Sequence, residues 1–139
     1  MAGTAVTASA LALGLGLAAC GKSSDSAGAG SGSAAAPAAA DPIVDAWKTA
    51  QLAPSALTPA SVAFGKDCRS GTIEGLDLLL CRYPSPTDAK GAESAGYTWV
   101  GSSTGASQAH GASLVVLADR RKVDPSGRTI NRLMKLAPK

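Results

Sequence analysis

Two cysteines bracket the segment CRSGTIEGLDLLLC, which runs from Cys68 to Cys81. Residues 74–75 (Glu-Gly) are interpreted as a two-residue turn, so the segment predicts a β-hairpin in which Ile73 pairs with Leu76. The same register pairs Cys68 with Cys81 at a non-hydrogen-bonded position, where Cα atoms approach to about 4.5 Å, and a four-residue loop would preserve it. A disulfide fits this distance. The sequence therefore predicts a Cys68–Cys81 bridge across the hairpin.

Capping signals and hydrophobic periodicity predict the elements on either side of the hairpin. Asp-Pro at 41–42 and 124–125, and Ser-Pro at 85–86, each supply a helix N-cap followed by proline at the first helical position. The expected elements are, in chain order, a helix from 42 to about 52, a loop through Pro54 and Pro59, a strand beginning within 62–64, a strand over 76–83, a helix from 86 to about 100, a loop over 101–111, a buried strand over 114–117 and a helix after Asp124. This order, α-β-β-α-β-α, predicts an α+β fold with a small mixed three-stranded sheet and helices packed on one face.

The first residues of the chain differ in composition from the rest. Residues 1–19 carry no charged side chain, and the apolar run over 6–19 has the length of a signal-peptide core, shorter than a membrane-spanning helix. The run ends in Leu17-Ala18-Ala19-Cys20, which resembles the lipobox of bacterial lipoproteins. That resemblance implies a lipoprotein signal peptide over 1–19 and membrane-anchoring acyl chains, such as palmitate, on Cys20. From the residues alone, an Ala-rich signal cleaved elsewhere or an uncleaved anchor remains open.

A predicted flexible linker follows the cysteine over residues 20–40. From 21 to 40 the chain is almost entirely Gly, Ser and Ala, which bury too little surface to offset the entropy of ordering. Such a coil spans roughly 25 Å root-mean-square. By the same resemblance, Gly21 after the cysteine favours delivery to the outer membrane, with its periplasmic or surface face left open. Residues 41–139 are then predicted to form one small α+β domain.

Positive charge is concentrated at the C-terminal end of the chain. Residues 120–139 hold seven cations and one anion, whereas 41–119 hold five cations and eight anions. On a helix, the cations at 128, 132, 135 and 139 fall within about 60° of one another, opposite the apolar positions. Such a face suits anionic lipid headgroups or an acidic envelope protein; the alternative is a solvated face that the helix macrodipole favours. The residues expected to make this contact are Arg120, Arg121, Lys122, Arg128, Arg132, Lys135 and Lys139.

Few residues suggest catalytic, redox or metal chemistry. The thirteen-residue spacing of Cys68 and Cys81 is unlike the C-x-x-C of a redox pair, and a zinc site with His110 would lack a fourth ligand. His110 is expected to be exposed, or to cap a neighbouring element, within the predicted loop. Residues 101–105 (GSSTG) lack the lysine of a phosphate-binding loop. No cofactor or metal is therefore expected as a ligand. Nucleic acid is not expected either, because the chain is predicted to be exported and no aromatic stacking platform accompanies its positive charge.

The sequence does not specify an activity, but it favours one class of protein over two others. The chain resembles small lipoproteins of the bacterial cell envelope, which implies a lipid-anchored binding or accessory module without catalysis. One alternative is a periplasmic enzyme that uses carboxylates or His110. The other is a structural component of the envelope. The oligomeric state stays open.

Overall fold

The computed structural model describes residues 40–139, so the predicted signal peptide, Cys20 and nearly all of the predicted linker lie outside the described residues. The elements are α1 (Pro42–Thr49), β1 (Thr58–Val62), β2 (Gly65–Ile73), β3 (Leu76–Arg82), α2 (Pro86–Gly91), α3 (Glu93–Val100), β4 (Thr104–His110), β5 (Ser113–Asp119) and α4 (Arg128–Leu136). The strands form one antiparallel sheet in the order β1-β2-β3-β5-β4. The α+β class is confirmed. The predicted three-stranded mixed sheet and its element order are wrong.

Helices cover both faces of the sheet, rather than the single face that was predicted. The helices α1 and α4 pack on one face, and α2 and α3 lie on the other. Alternate residues of β3 and β5 point to opposite faces of the sheet. Because nearly all of these residues are apolar, both central strands bury apolar side chains on both faces. The side chains toward α1 and α4 include Leu78, Leu80, Val115 and Leu117, and those toward α3 include Leu79, Cys81, Leu114 and Val116.

Two of the strands were not predicted, and both lie at sheet edges. Pro59 lies within β1, where an edge strand tolerates the missing N–H donor. The strand β4 lies within residues 101–111, whose Gly, Ser and Thr content was interpreted as a loop. Its small residues have a packing role, because a Cβ at Gly96 of α3 would collide with the Ser107 hydroxyl of β4. Small side chains on both elements allow α3 to approach the sheet closely.

The helix boundaries differ from the predicted ones, although two of the predicted caps are confirmed. The first helix ends at Thr49, and the helix predicted over 86–100 is divided at Ala92 into α2 and α3. The Asp41 side chain accepts a hydrogen bond from the Ile43 N–H at 3.0 Å. The Ser85 hydroxyl accepts one from the N–H of Asp88 at 3.2 Å. Side-chain caps therefore define where these helices begin.

The β2–β3 hairpin has the predicted register. Ile73 pairs with Leu76 and Cys68 pairs with Cys81, and the two cysteines form a disulfide with Cα atoms 4.0 Å apart. The turn residues at 74–75 (Glu-Gly) both have positive φ, 51° and 80°, as a type I′ turn requires. Glycine adopts these angles freely, whereas an ordinary L-residue does so at a cost of roughly 1–2 kcal/mol.

Replacing the strained turn residue should stabilise the protein. Glu74→Asn is expected to raise the free energy of unfolding by about 0.5–1 kcal/mol, because asparagine tolerates the left-handed conformation. Urea denaturation of the oxidised protein measures the difference. Glu74→Ala is the matched control and should give no such gain. Equal stability of the Asn and Ala variants would show that backbone strain at this turn is not the cause.

Candidate functional site

The C-terminal helix begins later than its capping signal predicted. Asp124 was expected to be the N-cap, but α4 begins at Arg128, after Gly127 with φ 68°. The Asp124 carboxylate still caps the helix from outside, accepting hydrogen bonds from the N–H groups of Arg128 and Ile130, each at 3.0 Å. Burial opposes its ionisation, but these bonds outweigh burial and hold the pKa of Asp124 below its usual value.

The rotation of α4 about its axis is determined by its apolar face. Ile130, Leu133 and Met134 are buried in the core that α1 and the sheet complete. The indole Nε1 of Trp47 on α1 donates a hydrogen bond to the Leu133 carbonyl at 2.9 Å. A helix held on one side by apolar contacts and by this bond must present its opposite side to solvent.

Three cations lie on that outward side, and we call Arg128, Arg132 and Lys135 the basic stripe. All three side chains are exposed. Within residues 40–139, none of them has a carboxylate oxygen within 4.0 Å. Exposed Lys48 of α1, by contrast, lies 3.9 Å from the Asp45 carboxylate. The basic stripe is therefore positive charge that the described part of the chain does not neutralise.

The helix macrodipole does not account for the whole basic stripe. Cations are stabilised near a helix C-terminus, and Lys135 in the last turn of α4 fits that explanation. Arg128, however, is the first residue of α4, and the first turn contains no acidic residue. A cation at this end is disfavoured by the macrodipole, so local helix stability does not explain Arg128.

Two of the predicted contact residues are paired within the fold. Arg120 and Arg121 place their guanidinium groups on the Asp77 carboxylate, at 3.0 and 2.9 Å. Arg120 also donates to the Trp99 carbonyl at 2.7 Å and stacks 4.1 Å from the centre of the Trp99 ring. Arg121 donates to the Gly75 carbonyl at the hairpin turn. These arginines attach the end of β5 to the hairpin and to α3, which sequence reasoning had not anticipated.

The remaining two predicted contact residues do not lie on α4. Lys122 is exposed in the segment before the helix and has φ 58°. Lys139 was predicted to extend the cationic face, but α4 ends at Leu136 and the main chain of Lys139 lies beside the turn at Gly111. The structure thus brings together only three of the seven predicted cations on one helix face.

His110 is buried, which corrects its prediction as an exposed or capping loop residue. It is the last residue of β4 and only 5% exposed. Burial is the main influence on the imidazole and lowers the pKa of His110. No hydrogen bond joins His110 to a carboxylate within residues 40–139.

Glu93 is committed to other partners. Its Oε1 accepts a hydrogen bond from the Ala109 N–H at 2.8 Å, and its Oε2 pairs with Lys90 at 2.6 Å. Burial opposes ionisation of Glu93, but the bonds from Lys90 and Ala109 outweigh it and lower the pKa of the carboxyl group. The Glu93 carboxylate thus satisfies one main-chain N–H group of the edge strand β4.

A groove that the sequence did not predict lies beside the disulfide. Its volume is about 1010 Å³, and its walls include Phe64, Tyr83 and Ala92. The Tyr83 hydroxyl donates to the Phe64 carbonyl at 2.6 Å, and burial raises the pKa of Tyr83. The one available signal was the placement of two aromatic residues just outside the paired cysteines.

Other features of the described residues add no further site. Within 40–139, no cluster of three His, Cys, Asp or Glu side chains is arranged to hold a metal ion. No helix in this part of the chain has the length and apolar character needed to span a membrane. Comparison with protein-family models, curated proteins and solved structures finds no match to the chain.

Removing the Asp124 cap should destabilise the helix that carries the basic stripe. Asp124→Ala is expected to lower the free energy of unfolding at neutral pH by about 1–2 kcal/mol, because it removes the acceptor of the buried Ile130 N–H and of the part-buried Arg128 N–H. Asp45→Ala, on the exposed face of α1, is the control and should cost less than about 0.5 kcal/mol. Urea denaturation at several pH values measures both.

The pH dependence of this effect has a definite sign. Because the pKa of Asp124 is lowered in the folded state, its contribution is complete above the unfolded carboxyl pKa of about 3.9. The contribution is lost as the pH falls through the lower, folded pKa. The stability difference between wild type and Asp124→Ala should therefore shrink in acid. A difference that grows toward low pH would contradict this assignment.

Proposed function

We propose that the protein is a lipid-anchored binding or accessory module of the bacterial cell envelope, without catalysis. Its basic stripe, Arg128, Arg132 and Lys135, would engage an anionic surface or an acidic partner. The observation that carries the proposal is that these three exposed cations have no acidic partner among residues 40–139. Each cation near an anionic leaflet contributes about 1 kcal/mol.

The disulfide supports the exported location that this proposal needs. Cys68 is 4% exposed and Cys81 is fully buried, so the bridge is a structural link inside the core. Such bridges form and persist in oxidising compartments such as the bacterial periplasm. The lipobox-like sequence ending at Cys20 supplies the complementary argument for anchoring by acyl chains.

The chemical state of the three cysteines tests the anchoring. In intact-mass measurements on membrane-extracted protein, we expect a mass that starts at Cys20 and includes acyl chains. We also expect that reductant frees two thiols, those of Cys68 and Cys81. A Cys20→Ala variant is the control and should be neither acylated nor cleaved at that position. Wild-type protein without acyl chains and with three free thiols would overturn the proposal.

The binding role of the basic stripe is tested by neutralising one cation inside it and one outside it. Arg132→Gln should weaken binding of dextran sulfate by the detergent-solubilised chain roughly fivefold at low salt, because it removes an unpaired cation. Arg121→Gln changes net charge equally, but Asp77 already pairs with Arg121, so its effect should be much smaller. Near 1 M salt, where the Debye length is about 3 Å, screening should remove the difference in binding between each variant and the wild type.

Fluorescence titration with labelled polymer measures this comparison. Urea denaturation of each variant checks that the fold is unchanged. Equal losses in the two variants would mean that net charge, rather than the basic stripe, governs binding.

A further inference from the structure

The chain enters the domain on the side that carries the basic stripe. Ala40 is exposed and directly precedes Asp41, the N-cap of α1. The helix α1 packs against α4 through the bond between Trp47 and Leu133, and both helices lie on the same face of the sheet. The linker predicted over 20–40 therefore joins the domain at the layer formed by α1 and α4.

The two helix layers differ in charge. The charged side chains of α1 and α4 are four cations and one anion, a net charge of +3. Those of α2 and α3 are Lys90 with Asp88 and Glu93, a net charge of −1. Because the sheet separates the layers, a negatively charged surface attracts the α1/α4 layer and repels the α2/α3 layer.

We propose that the α1/α4 layer docks onto the same bilayer that holds the lipid anchor, with the basic stripe on anionic phospholipid headgroups. This inference rests on the proposed function, since it requires acyl chains at Cys20. The groove beside the disulfide is lined by the segment between β1 and β2, by the end of β3 and, on one wall, by residues of the α2/α3 layer such as Asp88 and Ala92. In the docked orientation this α2/α3 wall faces away from the bilayer.

The predicted linker would make a three-cation surface sufficient for docking. A flexible coil of the predicted length spans roughly 25 Å root-mean-square, so an anchor at Cys20 would confine the domain near the headgroups. Docking then becomes an intramolecular step, for which a flexible link provides an effective concentration in the millimolar range. Each cation of the basic stripe shifts the docking equilibrium roughly fivefold on an anionic leaflet. A surface too weak to hold a free protein can thus orient an anchored one.

Lysine labelling of the acylated full-length protein tests this orientation. The protein is inserted into vesicles of phosphatidylcholine alone, or of the same lipid with added phosphatidylglycerol. An amine-reactive reagent is applied, and mass spectrometry compares the labelling of each lysine between the two vesicles. Lys135 belongs to the basic stripe, and exposed Lys90 on α2 is the internal control. A double variant, Arg128→Gln with Arg132→Gln, retains both lysines but loses two stripe cations.

We expect Lys135 labelling to fall several-fold on the anionic vesicles, with Lys90 unchanged. High salt and the double variant should both restore Lys135 labelling. If the protein floats with both kinds of vesicle but Lys135 is labelled as strongly on the anionic vesicles as on the neutral ones, the proposed orientation is overturned and the anchor is left intact. Protection of Lys135 by an added acidic polypeptide, but not by the anionic bilayer, would also overturn it. Protein that fails to float with phosphatidylcholine vesicles would overturn the anchor itself, and this inference with it.

Discussion

The burial of one face of α4 determines what the rest of the surface can do. Ile130, Leu133 and Met134 enter the core, and the Trp47 indole bonds to the main chain between them. Rotating the helix would expose apolar side chains and leave a buried indole N–H without its acceptor, each costing several times RT. The cations at 128, 132 and 135 are therefore held outward.

The helix α4 packs on the sheet. The way the sheet is built explains why the domain can form a core with many small residues and few aromatic ones. The disulfide closes a hairpin loop of about fourteen residues, which the chain-entropy relation values at about 3 kcal/mol. Small residues at Gly96, Ser107 and Gly105 bring α3 and β4 close together. On one face of the sheet, α3 packs closely through small residues, and on the other face α1 and α4 contribute apolar side chains. In this way about one hundred residues with few aromatics enclose two core clusters.

Local and covalent constraints were predictable from the sequence, whereas long-range pairing was not. The Cys68–Cys81 register followed from the period of the strand, and the caps at Asp41 and Ser85 from adjacent residues. The strand β4 was not predicted because its residues are small in order to pack closely against α3. The local sequence pattern of β4 does not show this contact with a separate helix. Arg120 and Arg121 were interpreted as free cations because their partner, Asp77, lies more than forty positions away. His110 was predicted to be exposed or to cap a neighbouring element because the local Ala-His-Gly sequence does not show that this residue ends a strand at a buried position.

Of the four arginines predicted to contact an anionic ligand, Arg128 and Arg132 on α4 are available for it, whereas Arg120 and Arg121 are paired with Asp77. Side-chain NMR of the arginine Nε–Hε groups tests this claim most directly, because each guanidinium reports separately as short-chain phosphatidylglycerol is added. We expect the signals of Arg128 and Arg132 to shift with the lipid concentration while those of Arg120 and Arg121 stay in place. Shifts centred on Arg120 and Arg121, or no shift at Arg128 and Arg132, would contradict it.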